Sequence, residues 1–188
     1  DVVALEPLGV DGDALSPAFF STAALAMAEL SGQMTPFLGR APGPDELEPF
    51  TLELVEWAAT LPDDAAVRDR ATFADASAAY LRALERCDVV LSPTLAVPPW
   101  PIGHLAPGVG REELVRRTEE AVGYTPVHNI AGAPAMSVPL WWDGEVPIGT
   151  QLAAAPGDDA VLLALAYELE AAVPWRHRRP TLVAAAPA

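Results

Sequence analysis

The most informative segment of the sequence is Thr125-Pro-Val-His-Asn-Ile-Ala-Gly-Ala-Pro-Ala-Met-Ser-Val-Pro139, and Val146-Pro-Ile-Gly-Thr-Gln-Leu152 follows it closely. Gly132 permits a backbone conformation that is closed to other residues. Pro134 and Pro139 bracket an apolar run that predicts a strand over Ala135–Leu140. The second block predicts another strand, Ile148–Ala154. The two blocks therefore predict two buried strands.

Helical patterns surround these strands. Val89–Leu91 is an apolar run typical of a strand covered on both faces. Ser16 is predicted to cap the first helix, with Pro17 at its first position and Gly32 at its C-terminal cap. The spacing of apolar residues predicts helices over Pro17–Leu30, Asp45–Thr60, Asp63–Arg86, Arg111–Val122 and Asp158–Ala171. This mixture of helices and buried strands indicates an α/β fold.

The chain is predicted to be a single unit over residues 1–188, with its acidic residues concentrated early. Residues 1–64 hold 12 acidic side chains against the single Arg40, whereas residues 65–188 hold 14 against 10 arginines. We therefore expect an acidic helical part over 1–64, a core with strands and pocket loops over 65–180, and a frayed tail over 181–188.

The charge balance argues against several partners. With 26 acidic and 11 basic residues, the net charge of −15 would repel a phosphate backbone, so nucleic acid is not expected to bind. Two uncharged stretches, 89–110 and 121–142, are interrupted by prolines, so no membrane span is expected. Cys87 is the single cysteine, which favours a cytoplasmic location.

No self-contained active site is recognisable from the sequence. The possible metal ligands match no ligand spacing: His104, His128, His177 and Cys87. Gly108-Val-Gly110 begins a nucleotide-binding pattern, but Glu113 occupies its final glycine position, so neither a metal nor another cofactor is expected. Cys87 fits a small buried hydrophobe, and Ser137 a hydroxyl bonded to neighbouring backbone. What remains is an apolar, proline-rich wall with a few polar groups: Thr94, His104, Tyr124, His128 and Asn129.

Residues 125–139 and 146–152 resemble the C-terminal core of amidase-signature hydrolases, whose pattern is Asn-x-x-Gly-x-Pro-Ala-x-Ser-x-Pro and then Leu-Pro-x-Gly-x-Gln. Asp88–Thr94 resembles the strand that leads into that family's pocket, and Gly157-Asp158-Asp159 resembles the start of its closing helix. The resemblance runs from about residue 71 to 180. It implies the C-terminal part of a three-layer α/β/α sandwich with a mixed β-sheet.

The resemblance also implies a reaction. Family members cleave a carboxylic amide through a serine acyl-enzyme, using a serine, a cis-serine and a lysine from their N-terminal half. This chain begins at Asp1 without an initiator methionine, and it contains neither a lysine nor a Gly-Gly-Ser-Ser-Gly-Gly run. We therefore expect a C-terminal fragment that holds no catalytic residue and is inactive by itself. Its expected partners are a small-molecule amide, linear or cyclic, and the N-terminal half of the domain; the parent could form a homodimer.

The expected contribution of this chain is one wall of the substrate pocket. The residues assigned to that wall are Thr94, Leu95, Trp100, His104, Tyr124 and Asn129. Val122 stands where glutamine-dependent relatives carry an acidic residue, which favours a simple amide hydrolase over an amidotransferase. Two alternatives stay open. The chain could be one part of an amidase split between two chains, or a noncatalytic binding or assembly module.

Overall fold

The computed structural model describes residues 1–5 and 8–179, so the predicted tail 181–188 lies outside the described residues. The helices are α1 (Gly12–Leu38), α2 (Pro49–Ala58), α3 (Ala65–Leu84), α4 (Arg111–Ala121), α5 (Pro126–Ala131) and α6 (Asp159–Ala172). The strands are β1 (Val90–Pro93), β2 (Ala135–Asp143) and β3 (Val146–Ala153). A 3-10 turn at Pro107–Val109 precedes α4. All five predicted helices and all three predicted strands are present, with shifted ends.

Helix α1 begins four residues before the predicted cap at Ser16, and that prediction is wrong. Asp11 is the N-cap, and its Oδ1 accepts a hydrogen bond from the Ala14 N–H at 3.2 Å. Ser16 lies inside the helix, where its hydroxyl bonds the Glu119 carboxylate of α4. Gly32 is also internal. The helix ends instead at Gly39, whose φ of 68° is the left-handed conformation that glycine adopts without strain.

Helix α5 is a helix that the sequence analysis did not predict, since this region was interpreted as a pocket loop. Its signals are purely local. Pro126 occupies the first helical turn, and Gly132 ends the helix with a φ of 64°. Six residues are too few to show a 3.6-residue period.

The three strands form one sheet in the order β1-β3-β2, and both pairings are antiparallel. The resemblance implied a mixed sheet, but β1 and β2, which run in the same direction, are separated here by β3. Leu91 pairs with Leu152, and Met136 pairs with the same residue from the other side. Between Val138 and Trp141 the register shifts at a bulge.

Helices cover both faces of the sheet, which confirms the α/β class. On one face, Val90 packs with Tyr80 and Leu84 of α3 and with Val127 of α5. On the other face, Val138 and Leu152 pack against Leu162 of α6. Because neighbouring strand residues point to opposite faces, these two apolar clusters lie on opposite sides of β3.

Strand β1 is not covered on both faces as predicted. Val90 is buried, but Leu91, which points to the α6 face, is 61% exposed. Helix α6 packs under β2, and its apolar cluster reaches Val89, just before β1, but does not include Leu91. An apolar strand residue therefore lacks a covering layer among the described residues.

Helix α4 is fixed to α2 through Arg111. The Arg111 backbone N–H donates to the Glu53 carboxylate, and its guanidinium lies 4.5 Å from the centre of the Trp57 ring. These contacts fix the C-terminal end of the loop between β1 and α4 against α2. Within the described ranges, no helix combines the length and the apolar character needed to cross a bilayer.

Candidate functional site

The first group of site residues lies where β1 ends beside β2 and β3. The Thr94 hydroxyl is 2.7 Å from the Ser137 hydroxyl, and the two form a hydrogen bond. The Thr94 backbone N–H also donates to the Gly149 carbonyl at 3.2 Å. A Cβ at position 149 would lie 2.6 Å from Thr94 Oγ1, so glycine is required by this close approach. Three sequence motifs thus meet at one point on the sheet.

This contact corrects the interpretation of Ser137. From the sequence, the Ser137 hydroxyl is predicted to form a hydrogen bond with neighbouring backbone. In the structure it bonds the Thr94 hydroxyl across the sheet instead. Ser137 is exposed and Thr94 is half-buried. A glycine inside a strand, as at Gly149, was the available signal, because it indicates a close contact without naming the partner.

The second group is formed by Trp100 and His104 in the loop before α4. Their ring centroids are 4.3 Å apart, and their planes are tilted by 45°. The His104 carbonyl accepts a hydrogen bond from Arg117 Nη1 at 2.7 Å. His104 Nε2 is buried and has no hydrogen-bond partner among the described residues. The ring is thus held by stacking and by its own backbone.

An ion cluster on α4 anchors this second group. Glu113 accepts hydrogen bonds from Arg116 and Arg117, which lower the pKa of its carboxyl to about 2. Arg117 therefore keeps a charged partner on one side while it holds the His104 carbonyl on the other. Since Glu113 stays ionised above about pH 2, the anchor persists across the physiological range.

The remaining site residues are placed by backbone contacts. The Ala96 N–H donates to the Ala121 carbonyl at 2.8 Å, which lays the segment after β1 beside the end of α4. Leu95 and Tyr124 lie in these two adjoining segments and are 38% and 41% exposed. Asn129 is exposed on α5, and no side-chain hydrogen bond joins it to the other five residues in the described structure. The six predicted wall residues therefore do not form one cluster. Thr94 belongs to the first group, Trp100 and His104 form the second, and the other three are separate exposed side chains.

His128 was counted among the polar groups of the wall, but it lies in the core. It is 4% exposed, and its ring centroid is 5.2 Å from that of Tyr80. Burial lowers the pKa of His128, and burial, followed by the nearby Cys87, raises the pKa of Tyr80 to about 12. Neither ring nitrogen of His128 nor the Tyr80 hydroxyl has a hydrogen-bond partner among the described residues.

The polar groups of this arrangement are mostly uncharged. The Thr94 and Ser137 hydroxyls bond each other, and neither has a hydrogen bond to a histidine, carboxylate or amine in the described structure. A hydroxyl nucleophile needs such a base to take its proton. The site offers an apolar and aromatic surface with hydroxyl, imidazole, phenol and amide groups.

Sequence comparison identifies the family. A sequence model of the family described as Amidase matches residues 40–163, which is well over half of the chain, and the chain belongs to this family. "Putative amidase AmiC" of Mycobacterium tuberculosis is 44% identical over 89 residues, covering 47% of this chain and 19% of the relative. The 6-aminohexanoate-cyclic-dimer hydrolase of a Pseudomonas species is 30% identical over 158 residues, covering 78% and 31%.

Solved structures agree with this assignment. The structure of a 6-aminohexanoate cyclic dimer hydrolase matches with a TM-score of 0.82 and 27% identity, over 96% of this chain and 39% of that one. A bacterial aryl acylamidase of the amidase-signature family matches in fold, with a TM-score of 0.72 at 18% identity, over 92% of this chain and 38% of that one. The chain thus spans between one fifth and two fifths of the length of these proteins.

Proposed function

We propose that this chain is the C-terminal portion of an amidase that hydrolyses a carboxylic amide C–N bond through a serine acyl-enzyme. The observation that carries the proposal is the Amidase family match over residues 40–163. The fold supports it, because the family motifs around Thr94, Ser137 and Gly149 meet in space. The C-terminal position follows the resemblance of these motifs to the end of the family's domain.

In this proposal the catalytic groups belong to the rest of the domain. The 188 residues contain no lysine, so no lysine base can activate a serine within them. The family's serine, cis-serine and lysine would come from the N-terminal half, in the same chain or in a separate one. The described chain by itself is then inactive toward amides.

The role that we assign to this chain is to shape the pocket. Trp100 and His104 offer an anchored pair of rings tilted against each other, and Leu95 and Tyr124 add exposed apolar surface. Thr94 and Asn129 supply the polar contacts. None of the six residues is acidic, lysine or arginine, which suits the uncharged part of a linear or cyclic amide. The cyclic-dimer hydrolase relative is consistent with a cyclic substrate.

The proposal also covers the cellular location and the macromolecular partners of the protein. A cytoplasmic location is expected from the single Cys87. A homodimer of the complete amidase is compatible with the family but rests on no contact in this chain. Nucleic acid is not expected as a partner, because of the net charge of −15.

The proposal is tested by amide hydrolysis. The 188-residue chain is assayed alone and after co-production with the part of AmiC that precedes its matching region, using an anilide and the 6-aminohexanoate cyclic dimer as substrates. Hydrolysis is expected from the combination and not from the chain alone. Trp100→Ala and His104→Ala are expected to raise KM about tenfold, a loss of roughly 1.4 kcal/mol of binding.

Trp141→Ala is the matched control, since Trp141 is exposed on β2 and is not one of the six wall residues. It is expected to leave KM and kcat unchanged. Hydrolysis by the chain alone would contradict the assignment of the catalytic groups to the rest of the domain. A combination that binds but never hydrolyses any amide would favour the noncatalytic module.

A further inference from the structure

The outward side of α6 is apolar. Leu162 packs toward the sheet, whereas the opposite side of the helix carries an exposed stripe, called here the α6 stripe: Ala160, Leu163, Ala164, Tyr167 and Ala171. Leu163 is 57% exposed and Tyr167 is 74% exposed. Glu168 and Glu170 flank the stripe and leave it free of charge. A surface helix normally carries polar and charged residues on its outward side, so this stripe is suited to contact with another protein surface.

Opposite charges stand at the two ends of the α6 stripe. Asp158 and Asp159 begin the helix, and Arg176 and Arg179 follow its C-terminal end. All four side chains are exposed, and none of them forms a salt bridge within the part of the chain that the structure describes. Each pair matches the dipole at its own end of the helix, but this match does not account for the apolar stripe between them.

The α6 stripe is complementary to a second, antiparallel copy of itself. A two-fold axis through the middle of the stripe places Ala160 opposite Ala171 and Ala164 opposite Tyr167, because both pairs are centred on the same point of the helix. A small side chain then faces the largest one. The aspartates of each copy come to the arginine-bearing end of the other helix, so opposite charges meet at both ends. A parallel pairing would bring like charges together instead.

We propose that the α6 stripe is the contact between two copies of this chain in a two-fold symmetric dimer. A second copy is the occupant because it brings the charges that both ends of the stripe attract. Helix α6 covers the face of the sheet toward which Met136 and Val138 point, and Ser137, which lies between them, points to the other face. The second helix therefore does not cover the hydroxyl pair of the candidate site. The inference goes beyond the proposed function and does not depend on it.

Sedimentation velocity of the 188-residue chain over a range of concentrations tests the dimer. One pair of helices makes a small interface, so a reversible dimer with a dissociation constant on the order of 10–100 µM is expected. Leu163→Glu and Tyr167→Glu each place an unpaired charge in the contact and are expected to weaken the dimer by about tenfold or more. Val67→Glu is the matched control, since Val67 is an apolar residue of α3 that is 63% exposed. It is expected to change the dissociation constant by less than about twofold.

An exchange of charges tests the antiparallel geometry. One variant carries Asp158→Arg and Asp159→Arg, and the other carries Arg176→Asp and Arg179→Asp. Each variant alone brings like charges together at both ends of the contact and is expected to weaken the dimer by about tenfold or more. An equimolar mixture restores opposite charges at both ends and is expected to recover the original dissociation constant within about threefold. Damage to the helix itself could not be rescued by mixing.

Several results would overturn the inference. These are a chain that stays monomeric above the expected dissociation constant, equal weakening by Val67→Glu, or a mixture that associates no more tightly than its two components. Another is a stripe that serves the rest of the domain. In that case Leu163→Glu would abolish association with the part of AmiC that precedes its matching region and leave self-association unchanged.

Failure of the dimer and failure of the proposed function are distinguishable. A chain that dimerises through α6 but hydrolyses no amide in combination with the AmiC part would leave the dimer in place and refute the proposed amidase activity. A monomeric chain that supports hydrolysis in that combination would refute the dimer alone.

Discussion

Gly149 shows how a single residue holds the candidate site together. Any side chain there would meet the Thr94 and Ser137 hydroxyls, which bond each other at 2.7 Å. We predict that Gly149→Ala destabilises the chain by about 1–3 kcal/mol, because a Cβ would overpack this junction and break the hydroxyl pair. Chemical unfolding followed by circular dichroism measures this change.

Gly32 provides the control for that substitution. It lies inside α1, and apart from the adjoining residues and backbone of that helix no atom of the described structure lies within 4 Å of the place where its Cβ would be. Gly32→Ala is expected to stabilise the chain by roughly 0.5–1 kcal/mol, since alanine loses less backbone entropy in a helix. Equal effects of the two substitutions would show that position 149 is not crowded.

His128 gives the core a specific dependence on pH. Burial lowers the pKa of His128 below the ordinary 6.5. Above pH 6.5 the ring is neutral in both the folded and the unfolded chain. Below pH 6.5 the unfolded chain binds a proton more readily than the folded chain. The free energy of unfolding therefore falls as the pH falls. Between pH 7.5 and 5.5, His128→Phe is expected to remove the decrease in unfolding free energy that comes from this histidine. Each unit by which burial lowers the pKa corresponds to about 1.4 kcal/mol.

The control for this prediction is the exposed His177. His177→Gln is expected to leave the slope of stability against pH unchanged. Thermal melts at pH 7.5, 6.5 and 5.5 compare the three proteins. A His128→Phe protein that loses as much stability as the unsubstituted chain over this range would refute the assignment.

At the scale of elements, α1 shows why helix ends are harder to predict than helices. Ser16-Pro17 has the chemistry of a helix start, but Asp11 takes this role one turn earlier, and Ser16 instead bonds Glu119 of α4. We predict that Asp11→Ala lowers the free energy of unfolding by about 0.5–2 kcal/mol, because the Ala14 N–H loses its acceptor.

Ser16→Ala is the comparison for α1. It removes an exposed side-chain contact and no cap, so a change within about 0.5 kcal/mol is expected. Helical content at Gly12–Leu15, followed by amide exchange, distinguishes the two variants. If Ser16→Ala unfolds the first turn and Asp11→Ala does not, the helix begins where the sequence alone placed it.

The sequence predicts the elements of this fold better than their contacts. Long periodic segments such as Asp63–Arg86 are recognisable because burial imposes a 3.6-residue pattern. Helix α5 shows no such period. The meeting of Thr94 with Ser137 joins residues 43 positions apart, and no local pattern encodes such a contact. The assignment of six residues to a pocket wall stays a prediction, and their separation into two groups and three exposed side chains could not be predicted from the sequence.

On the scale of the whole molecule, large apolar side chains face outward. The most exposed among the described residues include Phe37, Ile102, Tyr167, Trp141 and Leu91. Such surface favours association, and the open edge of β1 adds unpaired backbone groups. We predict that the isolated chain self-associates as its concentration rises, with light scattering after size-exclusion chromatography as the measurement. A chain that stays a monodisperse monomer as its concentration rises would contradict this prediction.

We propose that this chain is one portion of an amidase whose catalytic serines and lysine lie outside the 188 residues. This proposal is tested most directly by reading the coding DNA upstream of the Asp1 codon and in the neighbouring reading frames. We expect an open frame that encodes a lysine and a glycine- and serine-rich loop, either continuous with Asp1 or in an adjacent gene. A start codon immediately before Asp1, with no such sequence nearby, would contradict it.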